Sequence, residues 1–157
     1  MIPEVLAADE AFRALNNRFA AETSWLEADE WQSLVTRARF AYAISPVAGF
    51  LLAFDSKPAE VSVNFDWFAE RYDGLVYIDR IVVAAEAHGQ GLGKTLYVQL
   101  FAEARAAGFE RIGAEVNIDP PNPGSLAFHA RMGFEPVNDR LLPNGKTVRY
   151  FVKTLIT

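Results

Sequence analysis

The sequence predicts an α/β (α+β) domain in which a mixed central sheet is flanked by helices, and three observations carry this. Helical spacing precedes a first pair of strands. A nearly continuous β-branched strand runs through a glycine turn into a long apolar helix and a further strand, and two late strands close the chain around Pro143-Asn144-Gly145-Lys146. The 157 residues show neither repeat nor linker, which predicts one domain over 1–157.

From Asp9 to Phe19, Phe12, Leu15 and Phe19 stand at helical spacing behind two acidic residues that favour the positive end of a helix dipole. Asp29 to Ala38 places Trp31, Leu34 and Val35 on one side of a second helix. Residues 40–44 and 49–54 read as a strand hairpin, with Ser45-Pro46 in the turn region. From Asp55 to Gly74 the pattern loosens into a long connection holding Pro58, Asn64, Asp66 and the aromatics Phe65, Trp67, Phe68 and Tyr72. Long ordered connections of this kind often carry function.

Residues 75–83 (Leu-Val-Tyr-Ile-Asp-Arg-Ile-Val-Val) read as a central strand covered on both faces. After the glycine turn, Leu92, Leu96, Leu100 and Ala104 recur every four residues with Tyr97 and Phe101 beside them, and Gly108 stands where a helix would stop. Arg111 to Ile118 reads as a further strand, ended by Asp119-Pro120-Pro121. Asn122 caps a short helix with Pro123 at its first position and Gly133 at its end. The late strands are expected around residues 134–137 and 147–155.

Composition narrows the function. A net charge of -5 disfavours nucleic acid as a partner, because that affinity rests on Lys and Arg neutralising phosphates. The chain has no cysteine, which removes disulfides, thiolate nucleophiles and thiolate metal sites together. His88 and His129 are too far apart to form a histidine metal motif by spacing, so no metal is expected. Charges break every apolar run short of the roughly 18 to 20 residues of a bilayer span, and Met1-Ile2-Pro3-Glu4 has no basic leader. A soluble, cytoplasmic chain without a membrane partner is expected.

A strand entering His88-Gly89-Gln90-Gly91-Leu92-Gly93 and then a helix gathers backbone N–H groups and the positive end of a helix dipole around one point, which should bind an anion. Side chains at 89, 91 or 93 would hold a phosphate off the backbone or forbid the φ values the loop needs. A dinucleotide fingerprint fails, since Lys94 and Leu96 stand where its third glycine belongs. A phosphate-binding loop ending at Gly93-Lys94-Thr95 lacks only the glycine at His88, which keeps a P-loop-like nucleotide hydrolase as an alternative. Against it, too little chain follows for the parallel sheet and acidic magnesium strand of such enzymes.

The turn resembles the [Gln/Arg]-x-x-Gly-x-[Gly/Ala] loop of the GNAT superfamily of N-acetyltransferases, with His88 at the first position. Residues 122–134, Asn-Pro-Gly-Ser-Leu-Ala-Phe-His-Ala-Arg-Met-Gly-Phe, resemble that family's late helix. The likeness runs from about Leu75 to Phe134. It is similar in Asp55, Asn64-Phe65, residues 77–83 and Glu115-Val116-Asn117 to a group of uncharacterised predicted acetyltransferases.

The resemblance implies a GNAT-like domain with splayed central strands and acetyl-CoA as acyl donor. The CoA pyrophosphate would lie on His88, Gly89, Gln90, Gly91, Leu92, Gly93 and Lys94. The pantetheine arm would pair with the backbone of Ile81, Val82 and Val83, and Asn122, Ser125, Phe128 and Arg131 would add contacts. Asn122 and Ser125 read equally as helix capping, and Phe128 as packing.

Amine acetylation needs a base to take a proton from an ammonium of pKa about 10. Glu115, mid-strand among apolar neighbours, is the first candidate and Asp79 the second, each with an ion pair to Arg80 or Arg111 as the plain reading. His129 stands where the family commonly has a tyrosine that protonates the departing thiolate, and reads either as that acid or as an ordinary helix residue. Asn64, Asp66 and Trp67, with Phe68 and Glu70, would either surround the acceptor amine, a small molecule or a peptide, or bury a partner subunit in a homodimer. Direct transfer to a primary amine is the expected reaction, and a non-catalytic acyl-CoA-binding module is a further alternative.

Overall fold

The computed structural model describes residues 2–56 and 62–155, so Pro58 of the expected connection lies outside the described residues. A two-residue strand β1 (Glu4–Val5) is followed by α1 (Glu10–Arg18) and α2 (Ala28–Arg37). Asp9 caps α1 by accepting from the Phe12 N–H, and Glu27 with Glu30 forms a reciprocal capping box on α2. The hairpin β2 (Phe40–Ile44) and β3 (Gly49–Phe54) has the expected bounds.

The described part of the connection after β3 holds a helix that its sequence does not announce. It contains α3 (Val63–Ala69), capped by Ser62, with Phe65 and Phe68 buried on one side. β4 (Leu75–Val83) leads through a single 3-10 turn (Ala85–Ala87) and the glycine loop into α4 (Leu92–Ala106), and β5 (Arg111–Asp119), α5 (Pro123–Arg131), β6 (Glu135–Leu141) and β7 (Thr147–Thr154) complete the described chain.

The seven strands form one sheet in the order β1-β2-β3-β4-β5-β7-β6. Its neighbours are antiparallel except β4 and β5, which run parallel. A P-loop hydrolase needs a parallel sheet, so this topology sets that alternative aside.

Successive residues of a strand point to opposite faces, and that separates the helices. Phe12 of α1 and Trp31 of α2 pack on Phe50, and Phe65 and Phe68 of α3 on Tyr77. On β7, Tyr150 meets Phe68 of α3, while its neighbour Phe151 stacks with His129 of α5 on the other face. Gly113 lets α3 come this close, because a Cβ there would sit 2.9 Å from the Phe68 ring. One contiguous core results, from Leu6 to Leu155.

Candidate active site

β4 and β5 pair only where Leu75 to Tyr77 face Arg111 to Gly113, although the strands run on to Val83 and Asp119. Just past the last pair, β4 carries a bulge. Leu52 of β3 faces Arg80 and Ala53 faces Ile78, which leaves Asp79 as the extra residue. A bulge bends its strand and adds local twist, and here it turns β4 away from β5. The opening is a cleft of ≈ 250 Å³ lined among others by Asn64, Asp79, Tyr97, Glu115, Ser125 and His129.

Glu115 projects into this cleft from β5. Its Oε1 accepts from the Tyr77 hydroxyl (2.8 Å) and from the Asn64 side-chain amide (3.1 Å), and Asn64 Oδ1 in turn accepts from the Tyr150 hydroxyl (2.7 Å). The residue keeps a partial opening to the cleft, yet its Oε2 is out of reach of water and has no partner. Burial pushes the Glu115 carboxyl up to about 8. The Tyr77 hydrogen bond offsets part of this, and the charge of Asp79 adds to it. Both lone-pair directions of Oε1 are taken, so the proton held near neutral pH resides on Oε2.

Asp79 is engaged differently. Its Oδ2 accepts from Arg80 Nε at 2.7 Å, and the same guanidinium donates to Asn16 Oδ1 (3.0 Å) and Ser24 Oγ (3.2 Å). Asn16 is fully buried. The network ties the bulged part of β4 to α1 and the segment after it. Sequence reasoning passed over Asn16, although a polar residue inside the apolar stripe Phe12, Leu15, Phe19 was the available signal.

His129 is buried, and its Nδ1 lies 2.8 Å from the Ser125 carbonyl oxygen. A carbonyl only accepts, so Nδ1 carries the hydrogen. Burial lowers the imidazole pKa, and in the neutral ring Nε2 is then an acceptor. The Tyr97 hydroxyl, 2.8 Å away, donates to it. Tyr97 had been read only as a core residue of α4.

The glycine loop lies beyond the C-terminal end of β4. Gly89 (φ 84°) and Gly91 (φ 72°) take left-handed backbone that other residues rarely adopt, and a Cβ on either would meet open space rather than protein. The first hydrogen bond of α4 runs from Thr95 N–H to Gly91 O (3.1 Å). Among the described residues, the N–H groups of Gly89 to Lys94 donate to no protein acceptor. Six unpaired amides at a helix start are the donor set a pyrophosphate requires, so the loop fits the CoA phosphates.

Beside the loop runs a groove of ≈ 730 Å³ lined by Val83, His88, Gly89, Gly91, Leu92, Gly93, Lys94, Phe128 and Arg131. His88 lines the groove with its side chain tied back to β4. Its Nε2 donates to the Val83 carbonyl (2.9 Å), so the imidazole braces the end of β4 against the loop. Ile81, Asn122 and Ser125 line the cleft rather than the groove, Val82 is core, and Gln90 is exposed. Asn122 also caps α5 by accepting from the Ser125 N–H at 3.3 Å.

The aromatic connection divides. Asn64 reaches the cleft, whereas Asp66 and Trp67 line a separate depression with Arg71 and Arg140. Trp67 stacks on Tyr150 with centroids 4.5 Å apart and carries the Arg71 guanidinium over its ring. No helix among the described residues is long and apolar enough to cross a membrane, and no group of three or more His, Cys, Asp or Glu in them is set to hold a metal ion.

The sequence matches the Acetyltransferase (GNAT) family over residues 9–134. No curated protein matches it significantly. Among solved structures, the N-acetyltransferase from Staphylococcus aureus is similar with a TM-score of 0.75 at 19% identity, over 99% of this chain and 98% of that one. Aminoglycoside 6'-N-acetyltransferase complexed with coenzyme A is similar with a TM-score of 0.75 at 15% identity, over 100% and 98%. Ribosomal-protein-alanine N-acetyltransferase from Brucella melitensis gives 0.72 at 18% identity, over 98% and 99%. Because the family match spans most of the sequence and the shared fold spans nearly all of it, the chain belongs to the GNAT family of acetyltransferases.

Proposed function

We propose that this acetyltransferase moves the acetyl group of acetyl-CoA directly onto a primary amine, with Glu115 as the base. The observation that carries this is the Glu115 side chain itself, which lines the opening between β4 and β5 and is fixed there by two donors on Oε1 while Oε2 is left without a partner. When bound, acetyl-CoA supplies a thioester carbonyl to the nitrogen. Glu115 takes the ammonium's first proton, the C–N bond forms, the C–S bond breaks with its electron pair going to sulfur, and the second nitrogen proton passes to solvent.

The amides of Gly89 to Lys94 hold the pyrophosphate, with Lys94 and Arg131 as nearby cations and Phe128 against the arm. Asn64 and Tyr77 orient the Glu115 carboxyl toward the acceptor. Asp79, paired with Arg80, shapes the bulged strand. A chain without cysteine has no thiolate to carry an acyl-enzyme, which favours direct transfer.

The acceptor is a small-molecule or peptide amine. The neighbours named for aminoglycosides and for ribosomal-protein alanine mark the range to test. Acetyl-CoA should raise the melting temperature, and Gly91→Glu should abolish that shift. Free thiol should then appear with at least one member of a panel of amines, amino acids, aminoglycosides and N-terminal peptides. Glu115→Gln should lower that turnover about 100-fold or more while leaving the acetyl-CoA shift intact. A wild-type protein that binds acetyl-CoA yet releases no thiol with any of them is instead a binding module.

A further inference from the structure

Of the two readings of position 129, acid for the departing sulfur or ordinary helix residue, the hydrogen bonds around the neutral ring disfavour the first. The single N–H of His129 is held by the Ser125 carbonyl at 2.8 Å, and Nε2 is an acceptor, so the imidazole has no proton to offer the cleft. Tyr97 borders both the cleft of Glu115 and the groove residue Phe128. Its ring packs edge-on against Phe128 of the groove at 5.1 Å, and the residue lines the cleft together with Glu115.

We propose that the Tyr97 hydroxyl is the donor that meets the departing CoA sulfur, and that His129 is a positioning residue which holds the hydroxyl hydrogen on Nε2 until charge develops there. This rests on the acetyl-transfer reading above and adds a residue to it.

The physical case is an exchange of acceptors. In the resting site the hydroxyl donates to a neutral nitrogen. As the C–S bond breaks, its electron pair leaves a thiolate, and a hydrogen bond to an anion is roughly twice as strong as one to a neutral acceptor. The hydroxyl hydrogen therefore turns from Nε2 to sulfur. The interaction is made in the transition state and not in the ground state, which is the condition for accelerating the step. No proton has to leave Tyr97, and burial, which holds its phenol pKa above the ordinary value, disfavours its doing so. Of the two protons an ammonium sheds in becoming an amide, the first goes to Glu115 and the second to solvent, and the sulfur departs as the thiolate, so atoms and charge balance.

The test reads the sulfur itself and needs no acceptor amine. The thiol of bound CoA is titrated by thiolate absorbance in wild type and in Tyr97→Phe, which keeps the buried ring. The charged groups facing the cleft, Glu22, Asp79, Arg80, Glu115 and Lys146, are the same in both proteins, so the comparison isolates the hydroxyl. Loss of the hydroxyl should reduce the thiolate fraction at a given pH about tenfold, with CoA affinity at low pH unchanged. Equal titrations would overturn the proposal.

A second measurement uses wild type alone. The chain has two histidines, so 15N spectra with His88→Gln as the assignment control isolate the His129 ring. Free enzyme should show the Nδ1–H tautomer with a hydrogen-bonded Nε2. CoA at alkaline pH should move Nε2 toward its unbonded position, and CoA lacking the sulfur should not. An Nε2–H tautomer, or no response to CoA, would sink the idea. Failure to bind CoA at all would fell the transferase reading, which the same titration distinguishes.

Discussion

The chemistry of the proposed reaction turns on how Glu115 is held. An ordinary carboxylate is far too weak a base for an ammonium of pKa about 10, whereas a carboxyl pushed up to about 8 is close to matched. Its productive form is the ionised one, and ionisation increases with pH. With the acceptor found by the thiol-release panel, kcat/KM should rise about tenfold per pH unit below about 8 and level off above it. Glu115→Gln should remove that limb along with most of the rate. A wild-type profile flat from pH 6 to 9 would show that no group of this kind gates the reaction. Asp79 predicts differently. Its carboxylate is committed to Arg80, whose other hydrogen bonds reach Asn16 and Ser24, so Asp79→Asn acts mainly through the shape of β4 and, by removing a charge that raises the Glu115 carboxyl, should move the limb to lower pH without abolishing it.

At the scale of elements, the opening depends on β4 and β5 pairing for three residues and then parting, and α3 bears on that seam. Phe68 sits over Gly113 where the strands last pair, and Asn64 on the same helix holds Glu115. Gly113→Ala would set a methyl 2.9 Å from the Phe68 ring and push α3 outward. We expect a loss of about 1–3 kcal/mol in denaturant unfolding. Turnover should fall further than in a surface variant of equal stability, because Asn64 moves with the helix. If activity tracks stability alone, α3 does not position Glu115. The elements on either side of this seam were legible in the sequence because each announces itself locally. β4 is a run of β-branched residues, α4 repeats leucine every four positions, and Asp9 and Asn122 sit at helix starts as caps. α3 was not legible, since seven residues bury only Phe65 and Phe68, too few to show a period. The two residues of β1 are exposed and carry no pattern at all. Within the site, Glu115, Asn64 and His129 were singled out one at a time. Their partners were hidden by distance along the chain, 51 residues from Asn64 to Glu115 and 32 from Tyr97 to His129. Asp66 and Trp67 were grouped with Asn64 because they are adjacent in sequence, but the helix turns them to another pocket.

For the whole molecule, a base poised this way has a cost in stability that can be read without any substrate. Glu115 titrates near 4.5 when unperturbed and at about 8 in the fold, so between those values the folded state holds a proton that the unfolded state has lost. Stability from this group is complete below about pH 4.5 and declines as pH rises through about 8, with a limiting slope of roughly 1.4 kcal/mol per pH unit. His129 works in the opposite direction. Its folded pKa is lowered by burial, so its contribution is present above the ordinary histidine value of 6.5 and is lost as pH falls. The wild-type curve mixes the two, and the difference between wild type and Glu115→Gln isolates the first, because His129 is common to both. Glutamine can keep the Asn64 and Tyr77 hydrogen bonds through its amide oxygen and does not titrate. Denaturant unfolding from pH 5 to 9 should therefore find the variant gaining on wild type up to about pH 8 and levelling off above it, by several kcal/mol in all, and the more stable protein above pH 8 should be the inactive one. A constant difference across that range would mean that Glu115 titrates in the fold as it does in the open chain, and its assignment as a tuned base would fall with it.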